Sequence, residues 1–332
     1  MRKEQYTSPA IMATSRLDRR LAVALDDAKR RSRGRIIAVS LAVALASGLV
    51  ALSIAMGGEA PLGAFETAAL AIIASLTTAA VLSSALKLRD KKLLQAASTI
   101  SHYNLDLLLL LGKLTELRHG ETAGHNLRVT VYTLLFSEAI GLAPDMIVRS
   151  VKGALLHDIG KLTLPDRIIN KPGPLTPEER GEMERHVAYG LEIVSQSHFL
   201  LEAASVVGGH HERHDGTGYP SGLKGEAIPH EARLFALMDV FDALTSPRIY
   251  KSALSVEEAL TTMADGRGSH FDPVLFDRFK EIAPDLARRL PADETELAAL
   301  LMDRLLPYLD RLVQLNPAID QGDLARLPAK EP

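Results

Sequence analysis

Hydrophobic and polar positions divide the chain into a membrane-like first quarter, a leucine-spaced middle and a histidine-bearing remainder. Residues 36–56 form an apolar run without a charge. At about 1.5 Å of helix rise per residue, such a run reaches across a hydrocarbon core of roughly 30 Å. A polar break over residues 57–66 holds Gly57, Gly58, Pro61 and Gly63, and a second uncharged run, richer in Ala, Ser and Thr, covers residues 67–86. The pattern predicts a two-helix transmembrane hairpin over residues 36–86. The weakness of the second run keeps a buried helical hairpin of a soluble protein as the alternative. A cleaved signal peptide fits poorly, because the basic lead and the first run are too long and a second run follows.

Charge orients the hairpin. Residues 1–35 carry ten Lys/Arg against four Asp/Glu, the break carries only Glu59 and Glu66, and Lys87, Arg89, Lys91 and Lys92 follow the second run. Basic flanks face the cytoplasm. The expectation is a two-span protein of the cell inner membrane, with a basic N-terminal segment (1–35) and all residues beyond the hairpin on the cytoplasmic side. The break is too short to fold as a sensor domain. A stimulus would then act through the membrane helices, the N-terminal segment or a signalling protein partner.

Leu86, Leu93, Ile100, Leu107 and Leu114 recur at seven-residue intervals, and Leu110 and Leu117 fall at the intervening offset, which Arg89 interrupts early. Residues 87–104 therefore read as a connecting helix. It either pairs in parallel with a second copy, giving a homodimer, or folds as an amphipathic helix onto its own domain. From residue 105 the run Leu107–Leu111 is apolar on all sides and is expected to enter a core. Leu297, Leu300, Leu301, Leu305 and Leu309 give residues 293–315 one apolar face, with Pro307 expected to kink or divide the helix. Residues 283–332 read as a C-terminal helical extension followed by a polar, proline-bearing tail.

Composition narrows the chemistry. The 332 residues are 47% hydrophobic and 5% aromatic, with no Cys, no Trp and a formal net charge of −3. The near-neutral balance disfavours a partner that is a nucleic acid polymer. Without Cys there is no disulfide framework and no thiolate metal site, so any metal must use imidazole and carboxylate.

Those groups cluster in residues 105–282. Glu121 and His125 stand four apart, on one face of a helix, although Glu121 also suits an acidic helix start. His157-Asp158 opens the stretch that ends in Lys161; His186, His210-His211 and Asp239 follow. The steps are 32 residues from His125 to His157, 28 from Asp158 to His186, 24 to His210 and 28 from His211 to Asp239. Each suits a helix or two plus a turn, the spacing by which a helical bundle delivers inward ligands to one depth. Imidazole with carboxylate suits Fe or Mn, with Zn allowed. Eight such groups exceed the needs of one ion, so two or three divalent metal ions are expected. An unpaired carboxylate such as Asp239 in an apolar helix is costly without a cation. Next to His211, the segment Asp215-Gly216-Thr217-Gly218-Tyr219-Pro220 is too rich in Gly and Pro for a helix, and Tyr219 could stack on a base or bond a phosphate.

Taken in order, these segments resemble the HD-GYP family of cyclic di-GMP phosphodiesterases, a branch of the HD phosphohydrolase superfamily. The resemblance covers roughly residues 105–282. It rests on Glu121-Thr122-Ala123-Gly124-His125, His157-Asp158-Ile159-Gly160-Lys161, Ile169-Asn170-Lys171-Pro172-Gly173-Pro174-Leu175-Thr176, His210-His211-Glu212, the Tyr219 loop, Asp239-Val240-Phe241-Asp242-Ala243-Leu244-Thr245-Ser246 and Phe271-Asp272-Pro273. It implies an all-α domain, an HD-GYP-type helical bundle around a metal centre. The implied ligands are His125, His157, Asp158, His186, His210, His211 and Asp239, with Glu121 at the position that supports a third metal. Among them His157 and Asp158 are implied to be essential to catalysis. Lys161 is implied to stabilise charge on substrate or transition state, and Tyr219, Arg248 and Lys251 to contact the dinucleotide. The chain departs from the family in reading Arg248-Ile249-Tyr250-Lys251 where a proline is common after the arginine, and Val187 where proline is common after the histidine. The implied activity is hydrolysis of cyclic di-GMP to pGpG by a membrane-anchored enzyme, with a further step to GMP left open. Its alternatives are an HD phosphohydrolase acting on another nucleotide or cyclic dinucleotide, and a non-catalytic cyclic di-GMP receptor that docks a partner.

Overall fold

The computed structural model describes residues 62–119, 124–247 and 252–315. The first apolar run, residues 36–56, and the basic N-terminal segment lie outside these residues, as does the tail beyond 315. Two compact units are formed, one holding residues 100–315 and another to which residues 62–99 belong.

Helix α1 (Leu62–His119) carries the second apolar run, the connecting segment and the first turns of the larger unit without interruption. No Gly or Pro stands between Gly63 and Gly112, so the change from apolar to basic surface near Lys87 has no means of breaking it. Among the described residues, this is the one helix long and apolar enough to cross a membrane, judged by length and composition. Ile72, Ile73, Leu76 and Val81 are exposed on it.

The larger unit is all-helical, and among the described residues the one β-feature is an isolated bridge between Arg267 and Phe271. Its main helices are α2 (His125–Ala139), α3 (Pro144–Leu156), α4 (Asp166–Ile169), α5 (Pro177–Glu184), α6 (His186–Ser195), α7 (His198–Leu201), α8 (Ala204–Gly209), α9 (His230–Thr245), α10 (Val256–Ala264), α11 (Pro273–Arg289) and α12 (Glu294–Leu315). Local sequence sets several of their starts. Thr176 and Glu179 form a reciprocal capping box on α5, as Ser255 and Glu258 do on α10. Asp272 accepts from the N–H groups of Val274 (2.8 Å) and Leu275 (3.1 Å) ahead of Pro273. The same carboxylate is ion-paired with Arg233, so the cap also ties α11 to α9. Caps of this kind contribute about 1 kcal/mol each.

The core is layered from aromatic edges. Phe279 on α11 meets Phe136 on α2 at 5.3 Å and Phe241 on α9 at 5.1 Å, both edge-on, and Tyr132 meets Phe241 at 5.4 Å. Helix α12 belongs to this same core, burying Leu297, Leu301 and Leu305. Glu138 on α2 fastens it from outside, accepting from Arg304 (2.5 Å) and Tyr308 (3.0 Å). Pro307 sits inside a continuous α12 and does not divide it. The Leu107–Leu111 run behaves differently from expectation: Leu108 is buried, whereas Leu107 and Leu110 are exposed, because one side of α1 alone meets the domain. At Gly153 an added Cβ would stand 2.4 Å from the Val206 Cβ, so α3 and α8 approach as closely as glycine permits.

Phe279→Ala removes the ring shared by α2, α9 and α11 and is expected to cost about 3–5 kcal/mol in urea unfolding. An unchanged midpoint would show that this aromatic layer does not carry the fold.

Candidate metal centre

Five separate segments of the larger unit converge on one buried point. His125 opens α2, His157 and Asp158 follow the last residue of α3, His186 opens α6, His210 and His211 follow α8, and Asp239 lies within α9. Two groups result. Asp158, His186, His210 and His211 offer ligand atoms within 4.8 Å of one another, and so do His125, His157 and Asp239. They share a wall, since His157 Nε2 lies 3.1 Å from Asp158 Oδ2 and the His157 ring stands 5.4 Å from that of His210.

Backbone geometry explains how each ring is aimed. After α3 the chain tightens into a 3-10 turn, Ile159–Thr163, closed by Lys161 N–H donating to the Asp158 carbonyl (2.8 Å). This turn folds Lys161 back over Asp158, and its Nζ reaches Asp158 Oδ2 at 2.6 Å. Gly160 occupies the crossing with α6. A Cβ there would fall 1.8 Å from the His186 carbonyl oxygen and 2.4 Å from the Gly190 nitrogen. The glycine of the His-Asp-x-Gly-Lys segment is therefore the reason His186 can reach Asp158.

Hydrogen bonds fix the tautomers. The Nδ1 atoms of His157, His186 and His210 pair with backbone carbonyls of Ala154 (2.8 Å), Met183 (2.8 Å) and Val206 (3.1 Å). Because a carbonyl only accepts, each Nδ1 carries a proton and Nε2 is the nitrogen turned inward; at His186 and His210 it presents a lone pair. His125 differs: its Nδ1 faces the Asp242 carboxylate at 2.8 Å. Arg128 donates to the two oxygens of Asp242 (2.7 and 3.0 Å), and Ser246 Oγ adds a further bond at 3.0 Å. Glu116, near the end of α1, accepts the backbone N–H of His125 at 2.8 Å.

Electrostatics agree with a cation-binding role. Burial, reinforced by neighbouring imidazoles, holds His210 well below the usual histidine range. Burial likewise lowers His186, and it drives His211 down to about 3. These rings are neutral at pH 7, the form that ligates metal. Burial also opposes ionisation of Asp158, but Lys161 and His157 outweigh it and hold the carboxyl well below its ordinary value. For His157 the same balance runs the other way: burial disfavours the cation, but Asp158 raises it to about 9, so its Nε2 carries a proton toward Asp158 that a bound cation would displace.

The fit to a metal rests on Asp158 Oδ1. This atom is buried and has no hydrogen-bond partner among the described residues. His186 Nε2 lies 3.4 Å from it and His210 Nε2 3.8 Å, while those two nitrogens stand 3.4 Å apart. An ionised oxygen and two inward lone pairs crowded together make no favourable contact with each other; a divalent cation between them satisfies all three.

Beyond His211 the glycine-rich loop folds over the centre. Glu212, which is buried, accepts from the N–H groups of Ser221 (2.8 Å) and Leu223 (3.0 Å) and so gathers the loop around one carboxylate. At Gly218 an added Cβ would stand 2.4 Å from the Arg213 nitrogen. That close pass brings the Tyr219 ring to 4.6 Å from the His211 ring, tilted by 30°. Of the residues singled out from the sequence, the structure brings together His125, His157, Asp158, Lys161, His186, His210, His211, Asp239 and Tyr219. Glu121, Arg248 and Lys251 lie outside the described residues. Asp242, Glu116 and Glu212 were not assigned roles from sequence; the signal available was Asp242 standing three positions beyond Asp239, within one turn of the same helix.

Gly160→Ala is expected to force α6 outward and lose the ion held through His186 and Asp158, lowering bound metal in elemental analysis with helicity retained. Full metal content in that variant would contradict the assignment. Asp242→Asn should weaken metal binding at His125 by about 10–100-fold, read by competition with a chelator.

The comparisons with known proteins concern this same region. A family model described as an HD domain matches residues 110–275. A probable cyclic di-GMP phosphodiesterase of Vibrio cholerae serotype O1 is 38% identical over 213 residues, covering 58% of this chain and 48% of that protein. The cyclic di-GMP phosphodiesterase response regulator RpfG of Xanthomonas campestris pv. campestris is 40% identical over 190 residues, covering 57% and 50%. The chain thus spans about half the length of these curated relatives. Among solved structures, a cyclic GMP-AMP specific phosphodiesterase of V. cholerae overlaps with a TM-score of 0.48 at 18% identity, covering 67% of this chain and 62% of that one. With the HD-domain model spanning half its length across the converging histidines and aspartates, the chain belongs to the HD domain family.

Proposed function

We propose that the chain is a membrane-anchored, metal-dependent phosphodiesterase that hydrolyses cyclic di-GMP to linear pGpG. The observation that carries this reading is the pair of ligand groups joined at His157 and Asp158, buried beneath a tyrosine-bearing loop. Relatives named as cyclic di-GMP phosphodiesterases support the substrate. Exposed Ile72, Ile73, Leu76 and Val81 on α1 support the anchor.

The residue roles follow from the site. One ion would be held by His125, His157 and Asp239, the other by Asp158, His186, His210 and His211, with Glu121 available to a third; the nitrogen and oxygen donor set favours Fe or Mn. Divalent cations bound there supply neutralisation of phosphate charge and acidification of water, the two requirements that phosphodiester hydrolysis places on a catalyst. Lys161 keeps Asp158 ionised and presents a cation at the same carboxylate edge, where a phosphoryl oxygen gains charge. Tyr219 offers a flat, half-buried ring for a guanine base. Arg248 and Lys251 grip the substrate in its ground state.

Full-length chain loaded anaerobically with Fe(II) or Mn(II) should convert cyclic di-GMP to pGpG in product chromatography, and His157→Ala and Asp158→Ala should yield none. Lys251→Ala should raise KM by roughly ten-fold while changing kcat less. A second reading, hydrolysis of 3′3′-cGAMP, is favoured by relatives of V. cholerae named as phosphodiesterases specific for it, at 36% identity. Turnover of that dinucleotide alone would replace the first substrate, and tight binding without product would replace the enzyme with a receptor.

A further inference from the structure

The last turns of α1 have two faces with different surroundings. Ser101, Leu105, Leu108, Thr115 and Glu116 are buried. On the other side, Ile100, Tyr103, Leu107, Leu110, Leu114 and Leu117 are 45% to 69% exposed. These six alternate at steps of three and four, and Leu86 and Leu93 continue the seven-residue step upstream. A 3.5-residue repeat drifts by about 20° per heptad on a straight helix, so it stays in contact only with another helix that supercoils around it.

We propose that this face is the dimer seam of the protein, packed in parallel against the same face of a second copy. Lipid is a poor occupant, since Lys87, Arg89, Lys91 and Lys92 stand between the apolar run and the seam, and the seam's reverse side is packed into the larger unit. A second copy matches on three grounds. A two-fold axis along the seam sets each Leu or Ile against its own counterpart, with Ile100, Leu107 and Leu114 as one layer set and Tyr103, Leu110 and Leu117 as the other. The surface these side chains expose on two copies is on the order of 1,000 Å², the size at which specific association begins. Charge is also accommodated. In a parallel pair Lys113 flanks the seam opposite Arg118 of the other copy, a repulsive pairing if both were uncompensated. Lys113 is instead paired with Glu116 (3.0 Å) and Glu294 (2.9 Å). Arg118 is paired with Asp166 (2.8 Å) and also donates to the Leu164 carbonyl (3.1 Å).

The chain has no cysteine, so single cysteines report on the seam without background. In full-length protein in detergent or nanodiscs, Ile100→Cys, Tyr103→Cys, Leu107→Cys and Leu110→Cys should each form a disulfide-linked dimer on mild oxidation, while Lys91→Cys and Gln95→Cys, exposed on other faces, should not. Leu107→Glu with Leu110→Glu should lower the light-scattering mass roughly two-fold, to that of a monomer, with helical circular dichroism unchanged. Cross-linking absent from all four seam positions, equal at the two controls, or confined to one seam position as an antiparallel pair would give, overturns the proposal. So does a monomeric mass for the parent chain.

Discussion

Everything in the larger unit is arranged around a carboxylate that has been taken out of water. Burying Asp158 as an anion costs several kcal/mol unless its charge is answered at close range. One oxygen is answered by Lys161 and His157. Among the described residues the other has no hydrogen-bond partner and faces the inward nitrogens of His186 and His210. The fold holds a polar cluster that is incomplete as protein alone, and the helices supply the rigidity that keeps its members from turning to other partners. Gly160 and Gly153 are part of that cost, since each gives up a side chain so that a neighbouring helix can come closer.

Much of the centre was legible in the sequence because its information is chemical. Imidazole next to carboxylate at His157-Asp158, repeated histidines at helix-length intervals and a glycine-rich segment beside His211 announce ligands and a loop whatever the packing. Asp242, Glu116 and Glu212 were harder to assign because their roles come from convergence in space. Asp242 acts on a ring 117 positions away, and Glu116 acts on a backbone N–H that another acceptor would serve equally well. Glu212 reads as a continuation of the histidine pair, although its carboxylate organises the loop that follows.

The helices show a similar division. Capping residues such as Thr176, Ser255 and Asp272 state their boundaries locally, and an amphipathic stripe predicts α12. Continuity of α1 was less legible, because the shift from apolar to basic residues suggests a boundary that the backbone ignores. The side-by-side fates of Leu107 and Leu108 could not be read from a run of leucines. They depend on which flank of the helix the larger unit meets.

The two ligand groups differ in what stands behind their imidazoles. His157, His186 and His210 lean on main-chain carbonyls, which no substitution can remove and which stay uncharged at every pH. His125 leans on Asp242, an anion already shared with Arg128 and Ser246. An imidazole backed by a carboxylate is a stronger electron donor than one backed by an amide. The halves of the centre are therefore inequivalent by construction: His186 and His210 of one half have their donor strength set permanently by the backbone, whereas the other half joins a backbone-set His157 to His125, whose donor strength evolution can adjust through a single side chain, leaving the helical frame untouched.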